Sequence, residues 1–476
     1  MPYPRPVEDY NNGNIKAVGV GLALPSSQWK ITTMVIASLL SNTTGQADAF
    51  AQAQTVVILL VVTLIVALIS RRLRLVYTLV LVVVGLVIGF LPFLPNVHLD
   101  PNLVLFLFLP ALLFEGAWNV NIEKLVADWL PVVLLAVPGL AISLLLVAAV
   151  VHWGLGFPWL LALLLGAMVS PTDPVAVLSV MRQLGIAGRL RIILEGESLF
   201  NDGAGVAAYE IELGLLLPSL GVAVIASENS GWTIVVDAIW LMLGGLVLGL
   251  IVGWVIARFL RLVDDHLIET TVTFSAAYGV YLIGTALHTS GLLAVVGAGL
   301  VIGSYGRRTG MSERAQEASH AVWEFIGYLA NSLLFLLLGI ELGASHLFAQ
   351  SFSGISWVLL GVIAGRVLMI YTLIPLQDAL ARWLERRKTK QPRFLPLPHP
   401  IPASWRPLLA LSGLRGALSI ALVLSLPDTI AQRNLLQDIV YGVVLVTLLG
   451  QGLALRILLP RWPKEQEETP SESQAS

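Results

Sequence analysis

A carboxylate placed where a helix breaks inside an apolar stretch can hold either a cation or a proton. Ser170-Pro171-Thr172-Asp173-Pro174 makes such a place within a long run of apolar residues. Two prolines three apart remove backbone donors and clash with the preceding turn. The break frees backbone carbonyls, that of Thr172 among them. Carboxylate, hydroxyl and carbonyl oxygens together suit a hard cation. Asp173 has a second reading, as the cap of a restarted helix, and the two roles are compatible.

A second polar run follows, Glu195-Gly196-Glu197-Ser198-Leu199-Phe200-Asn201-Asp202-Gly203. On a helix Ser198, Asn201 and Asp202 are related by i,i+3 and i,i+4 and share a face, with Glu197 beside them. Asp202 is two to three turns into an apolar segment, too deep to snorkel easily to water. Desolvation favours the neutral form of such a carboxylate and a bound cation favours the charged one, so proton and cation compete for it. Glu115, in Leu109-Pro110-Ala111-Leu112-Leu113-Phe114-Glu115-Gly116, is a third deep acid; its other reading is a structural hydrogen-bonding acid. Arg366 and Arg415 also lie within apolar segments and need counter-charges. Glu197 is the preferred partner for Arg366, although the sequence allows other pairings. Such a pair can be bidentate and fix how helices pack.

The remaining ionisable groups read more blandly. Asp237, Glu324, Glu341 and Asp438 lie near segment ends, within reach of water or headgroups. Glu195 sits at the inner mouth. Glu210 and Glu212 are embedded and receive no role. The seven histidines fall in loops or at segment ends, and none has zinc-site spacing. His266 and His320 could sense pH, but solvated loop histidines are the favoured reading. Without cysteine there is no disulfide, thiol chemistry or thiolate metal site.

These residues must be positioned by membrane helices. Of 476 residues, 57% are hydrophobic and 12% charged, where soluble domains run near a quarter charged. That composition excludes an ordinary soluble enzyme and a disordered chain. Long apolar runs argue against an outer-membrane barrel, and a net charge of −2 argues against a nucleic-acid partner. The predicted fold is an all-α polytopic membrane protein of about thirteen transmembrane helices. They fall at 54–70, 76–94, 102–119, 130–151, 157–181, 192–217, 233–257, 268–287, 291–305, 320–342, 355–377, 405–426 and 434–459. With the N-terminal end of the first span outside, 22 of the 28 Lys and Arg residues fall on the inner side and only Arg433 in an outer loop after span 1. Trp129, Trp159, Trp357 and Trp405 sit at span ends, as interfacial belts do.

Residues 1–50 form an N-terminal tail. An apolar stretch over 31–40 followed by Ala47-Asp48-Ala49 has the form of a signal peptide ending near 49; an extra flanking segment, or a start at Met34, is the other reading. Residues 463–476 are polar, acidic and Ser-rich and read as a disordered cytoplasmic tail.

Thirteen spans divide as six, one and six, and the odd span inverts the second half. Spans 1–6 and 8–13 thus form an inverted-topology repeat, an arrangement that carries interrupted helices at matching positions. The break at 170–174 lies in span 5. Ser412-Gly413-Leu414-Arg415-Gly416, two glycines around a charge, lies in span 12, the equivalent place.

Ser170-Pro171-Thr172-Asp173-Pro174-Val175-Ala176, Glu197-Ser198-Leu199-Phe200-Asn201-Asp202-Gly203 and Gly413-Leu414-Arg415-Gly416-Ala417 resemble the sodium/proton antiporters of the bacterial NhaP and eukaryotic sodium/hydrogen exchanger type. The 109–116 stretch is also similar, and the resemblance covers essentially all spans. It implies a homodimer in the cell (inner) membrane. A core of spans 130–217 and 355–459 would move against interface spans 54–119 and 233–342 within an antiporter domain of residues 51–462. It further implies that Asp202 and Asp173 bind the ion, that Ser198, the Thr172 main chain and Glu115 complete the Na+ site, that Asn201 supports it, and that Glu197 pairs with Arg366. Electrogenic relatives carry Asp-Asp where this chain has Asn201-Asp202, which implies electroneutral exchange of one proton for one Na+, Li+ or K+. No cofactor is expected. A cation channel is the alternative function, and an intramembrane aspartyl hydrolase built on Asp173 and Asp202 a more distant one: the chain has no Gly-x-Gly-Asp motif, and a hydrolase leaves the repeat unexplained.

Overall fold

The computed structural model describes residues 54–72, 77–91, 104–175, 177–178, 181, 188–219, 236–344, 348–386, 399–451 and 454. The signal-peptide reading, residues 1–50 and the tail 463–476 lie outside the described residues. The chain divides into residues 1–58 and residues 59–476. Of the first, residues 54–58 are described and are helical; the second is the helical assembly that carries the site.

All regular structure among the described residues is helical. That is the expected result for long apolar segments, because in lipid every backbone N–H and C=O must be satisfied within its own segment. In chain order the helices are α1 (Gln54–Arg72), α2 (Tyr77–Gly89), α3 (Leu109–Asn119), α4 (Ile122–Ala127), α5 (Trp129–Leu155), α6 (Trp159–Val169), α7 (Arg189–Ser219), α8 (Val236–Leu260), α9 (His266–Ala286), α10 (Gly291–Val301), α11 (Glu313–Ala344), α12 (Phe348–Arg386), α13 (Arg406–Leu411), α14 (Ala417–Leu424) and α15 (Arg433–Val446). Seven helices among the described residues are long and apolar enough to cross a membrane: α1, α5, α8, α9, α11, α12 and α15 with its extension to Gln451. α2, α6 and a 106–119 helix containing α3 are shorter apolar helices.

Small residues set how closely these helices approach. Gly85 and Gly89 of α2 face Gly339 and Gly343 of α11, and a methyl group built on Gly85 would lie 3.0 Å from the Gly339 Cα. Gly253 of α8 meets Ala298 of α10 in the same way, at 2.8 Å. This is small-xxx-small packing, in which van der Waals contact replaces the hydrophobic drive that lipid does not supply.

Two packing groups result. α2, α3, α8, α9, α10 and α11 pack among themselves, as do α5, α6, α7, α12, α14 and α15. The groups meet where α7 lies on α3 and α10, and where α14 lies on α11. A separate apolar cluster (Val177, Met181, Ile193, Ile370, Leu409 and Leu414 within it) locks the segments around both helix breaks together.

At those breaks the backbone leaves the helix over 170–174 and resumes at Val175, and it leaves again after α13 to resume at Ala417. The two extended segments touch: the Asp173 N–H donates to the Leu414 carbonyl at 2.9 Å. Each break thus supplies a partner for backbone groups that the other helix abandons.

Candidate functional site

The site grows from this contact. The Asp173 Oδ1 accepts the Val175 N–H at 2.8 Å, and its carboxylate also accepts from the Ala417 backbone. Asp173 therefore faces the starts of two half-helices, where unsatisfied N–H groups give a positive end. Its capping role is visible, and it still lines a cavity. Gly416 makes the approach possible, because a Cβ there would fall inside the Asp173 carboxylate. Gly205 of α7 likewise leaves room for the Pro171 ring.

α7 presents its polar face to the same break. Ser198 Oγ donates to the Thr172 carbonyl at 2.6 Å. Asn201 Nδ2 donates to Thr172 Oγ1 at 2.7 Å, and the Thr172 N–H points back to Asn201 Oδ1 at 3.5 Å. Ser198 and Asn201 are thus committed to holding Thr172. Asp202, on the same face, makes no hydrogen bond among the described residues and opens into the cavity, close enough to Asp173 for the two carboxylates to interact electrostatically.

Behind this face lies a buried ion pair. Arg366 NH1 and NH2 donate to the two Glu197 carboxylate oxygens, the second at 3.1 Å. Arg366 and Glu197 are 3% and 1% exposed, so the charges need each other and further donors and acceptors. Arg366 also donates to the Leu409 carbonyl at 3.0 Å and to Ser412 Oγ at 3.3 Å, which ties α7, α12 and the second break together. Arg415, fully buried, meets no carboxylate among the described residues. Its Nη1 donates to the Gly413 carbonyl at 3.2 Å, its backbone N–H reaches Thr447 Oγ1 at 3.4 Å, and its Nε has no hydrogen-bond partner among the described residues. Glu197, already joined to Arg366, is the carboxylate close enough to act on Arg415 electrostatically, and the Gly413 carbonyl supplies the direct contact.

The cavity is about 470 Å³. One wall is the core side: Thr172, Asp173, Ser198, Asp202, Gly416 and Ser419. The other is α3 and α11, with Glu115, His320, Glu324, Tyr328 and Asn331. Glu115 accepts from Asn119 Nδ2 at 2.6 Å and lies against Gly327. No three His, Asp or Glu side chains among the described residues are grouped to hold a metal ion, so Glu115 shares the cavity with the aspartates without closing round a common point. Glu195 also lines the cavity and pairs with Arg191 at 2.7 Å.

Glu324 and His320, a span-end acid and a loop histidine by sequence, both line the cavity. Their spacing held a signal: His320, Glu324, Tyr328 and Asn331 recur at i, i+4, i+8 and i+11, one polar stripe on α11.

Residues 56–461 match the family described as "Sodium/hydrogen exchanger, transmembrane". The chain belongs to the sodium/hydrogen exchanger family. Among the relatives of this exchanger, the Na+/H+ antiporter ApNhaP of Aphanothece halophytica is 36% identical over 387 residues, 81% of this chain and 69% of its own length. The Na+/H+ antiporter NhaH of Halobacillus aidingensis is 32% identical over 430 residues, 88% of this chain and 98% of its own. The exchanger's fold is shared with the sodium proton antiporter MjNhaP1 of Methanocaldococcus jannaschii, solved at pH 8, with a TM-score of 0.65 at 22% identity over 86% of this chain and 96% of that one.

Proposed function

We propose that this protein is a secondary active antiporter, not an enzyme, that exchanges Na+ for H+ across the membrane. The observation that carries the reading is Asp202: a deep carboxylate with no protein hydrogen bond among the described residues, facing Asp173 across a water-accessible cavity at the contact of two broken helices. Family membership and antiporter relatives point the same way. Na+ is the substrate; Li+ and K+ are the nearest variants on the same oxygen ligands.

In the proposed cycle Asp202 gives up its proton as the cation binds, with Asp173, the Ser198 hydroxyl, the Thr172 main chain and Glu115 as further oxygen ligands. Asn201 and Glu197–Arg366 hold those ligands in place. The chain crosses a cell (inner) membrane thirteen times as an inverted repeat, with interrupted helices in spans 5 and 12, the N-terminus outside and the C-terminus cytoplasmic. Arg191, Glu195 and His320 of the cavity lining lie near the helix ends that carry the basic flanks, which supports reading the cavity as open to the inner side with its mouth at these residues. The core (130–217 and 355–459) moves against the interface spans (54–119 and 233–342), which pair two copies into a homodimer; the two packing groups and the cavity between them support this division.

The test is proton flux in sealed vesicles. An imposed Na+ gradient should drive proton movement in the opposite direction in wild-type vesicles. Flux of Na+ that proceeds without counter-movement of protons would establish a channel instead.

A further inference from the structure

The α11 wall of the cavity has no part in the exchange chemistry described above. The charged groups around the cavity and behind this wall divide into engaged and unengaged. At the mouth, Glu195 is neutralised by Arg191 at 2.7 Å. Deeper, Glu115 accepts from Asn119 at 2.6 Å. On α9, packed behind α11, Glu269 is fully buried and accepts from the Ser312 N–H and hydroxyl at 3.1 Å. On α2, Tyr77 stacks on Tyr328 and donates to Ser332. Glu324 remains: it is exposed on the cavity wall, with no ion pair or hydrogen bond among the described residues. His320 is one turn nearer the mouth, and Asn331 is about 10 Å deeper along the helix.

We propose that Glu324 is a positioning residue that concentrates cations at the inner mouth of the cavity through its field, without touching the bound ion. A charge focused in a low-dielectric cleft raises the local concentration of counter-ions. Such a field does not distinguish Na+ from H+, because both are monovalent cations. Glu324 therefore lowers the inner half-saturating concentrations of Na+ and of H+ by one common factor. The exchange equilibrium demands the same result: a residue that altered only the inner Na+ constant, with turnover and the outer constants fixed, would shift the end point of a passive exchanger, which no protein can do.

This inference rests on the antiport reading, and the experiment separates the two. Exchange is measured in everted vesicles, which present the inner face, and in right-side-out vesicles, for wild type, Glu324→Gln and Glu324→Asp. In a medium of ~10 mM ionic strength the Debye length is about 30 Å, and at 1 M about 3 Å. At low ionic strength Glu324→Gln should raise the inner KM for Na+ and for H+ equally, by roughly 3- to 10-fold. Turnover and the outer constants should stay unchanged. Glu324→Asp should behave as wild type, and impermeant salt near 1 M should erase the difference. Unequal changes in the two inner constants accompanied by altered turnover, equal changes at both faces, or a loss of turnover without a change in KM would each overturn the proposal while leaving antiport intact. Wild-type vesicles that fail to exchange would overturn the antiport reading and this inference with it.

Discussion

A group that must release one ion and accept another cannot be occupied by hydrogen bonds to its own protein. Ser198 and Asn201 are occupied, both by Thr172, whereas Asp202 stands open to the cavity. Asp202→Asn preserves size and removes the exchangeable charge. Exchange in vesicles should fall to background while gel filtration shows an assembly of unchanged size; residual exchange would count against Asp202 as the carrier. Gly416 gives a second residue-scale test. Its φ of −138° is open to any residue, so the requirement is space: a side chain there displaces the Asp173 carboxylate. Gly416→Ala should cut exchange by roughly 100-fold, the scale on which an ångström of misplacement acts at a reacting centre. Gly416→Ala with wild-type exchange would show that Asp173 need not sit where it does.

Between elements, the Glu197–Arg366 pair is the tie that holds α7, α12 and the second break in one arrangement. Removing one partner leaves the other charge buried and uncompensated, at a cost of about 3–5 kcal/mol. Arg366→Ala should therefore lower thermal stability in detergent more than it alters the Na+ KM of the protein that remains folded. Arg366→Ala combined with Glu197→Ala should be more stable than Arg366→Ala alone. If the double variant melts no higher than the single, the pair does not carry this packing. The same scale bears on Arg415: Glu197 acts on it electrostatically without touching it, and the break exposes the Gly413 carbonyl as its direct partner, one that an intact helix would keep for itself.

For the molecule as a whole, the question is how much charge crosses the membrane per cycle. Asn201 is held on both sides by Thr172 and carries no proton. With Asp202 as the exchanging group, one proton leaves as one monovalent cation binds, and both half-cycles move the same charge. Proteoliposomes under a potassium–valinomycin potential should then show exchange whose rate and end point ignore the voltage. An end point that moves with voltage would mean that Asp173 or Glu115 also changes protonation, as close carboxylates titrating together can. In the proposed cycle one packing group moves against the other, and the cavity between them supports that reading.

The all-helical class, the family and the positions of the two helix breaks and the polar run at 195–203 were legible from the chain alone. Apolar length and the rarity of intramembrane charge are local, one-dimensional properties, and lipid enforces them segment by segment. The Glu197–Arg366 pairing was the preferred one of several that the sequence allowed, and the structure joins the two. What folding alone settled concerns which groups face one another. Glu324 and His320 looked like span-end residues because depth along a helix was visible and direction was not; packing of α11 against α3 and across from α7 turned them into a cavity wall. Arg415 takes a carbonyl as its direct partner, with Glu197 acting on it only electrostatically, because the second break set what lay within hydrogen-bond reach. Spacing along one helix assigns residues to a face, but only the neighbouring helices determine whether that face meets lipid, protein or a water-filled site.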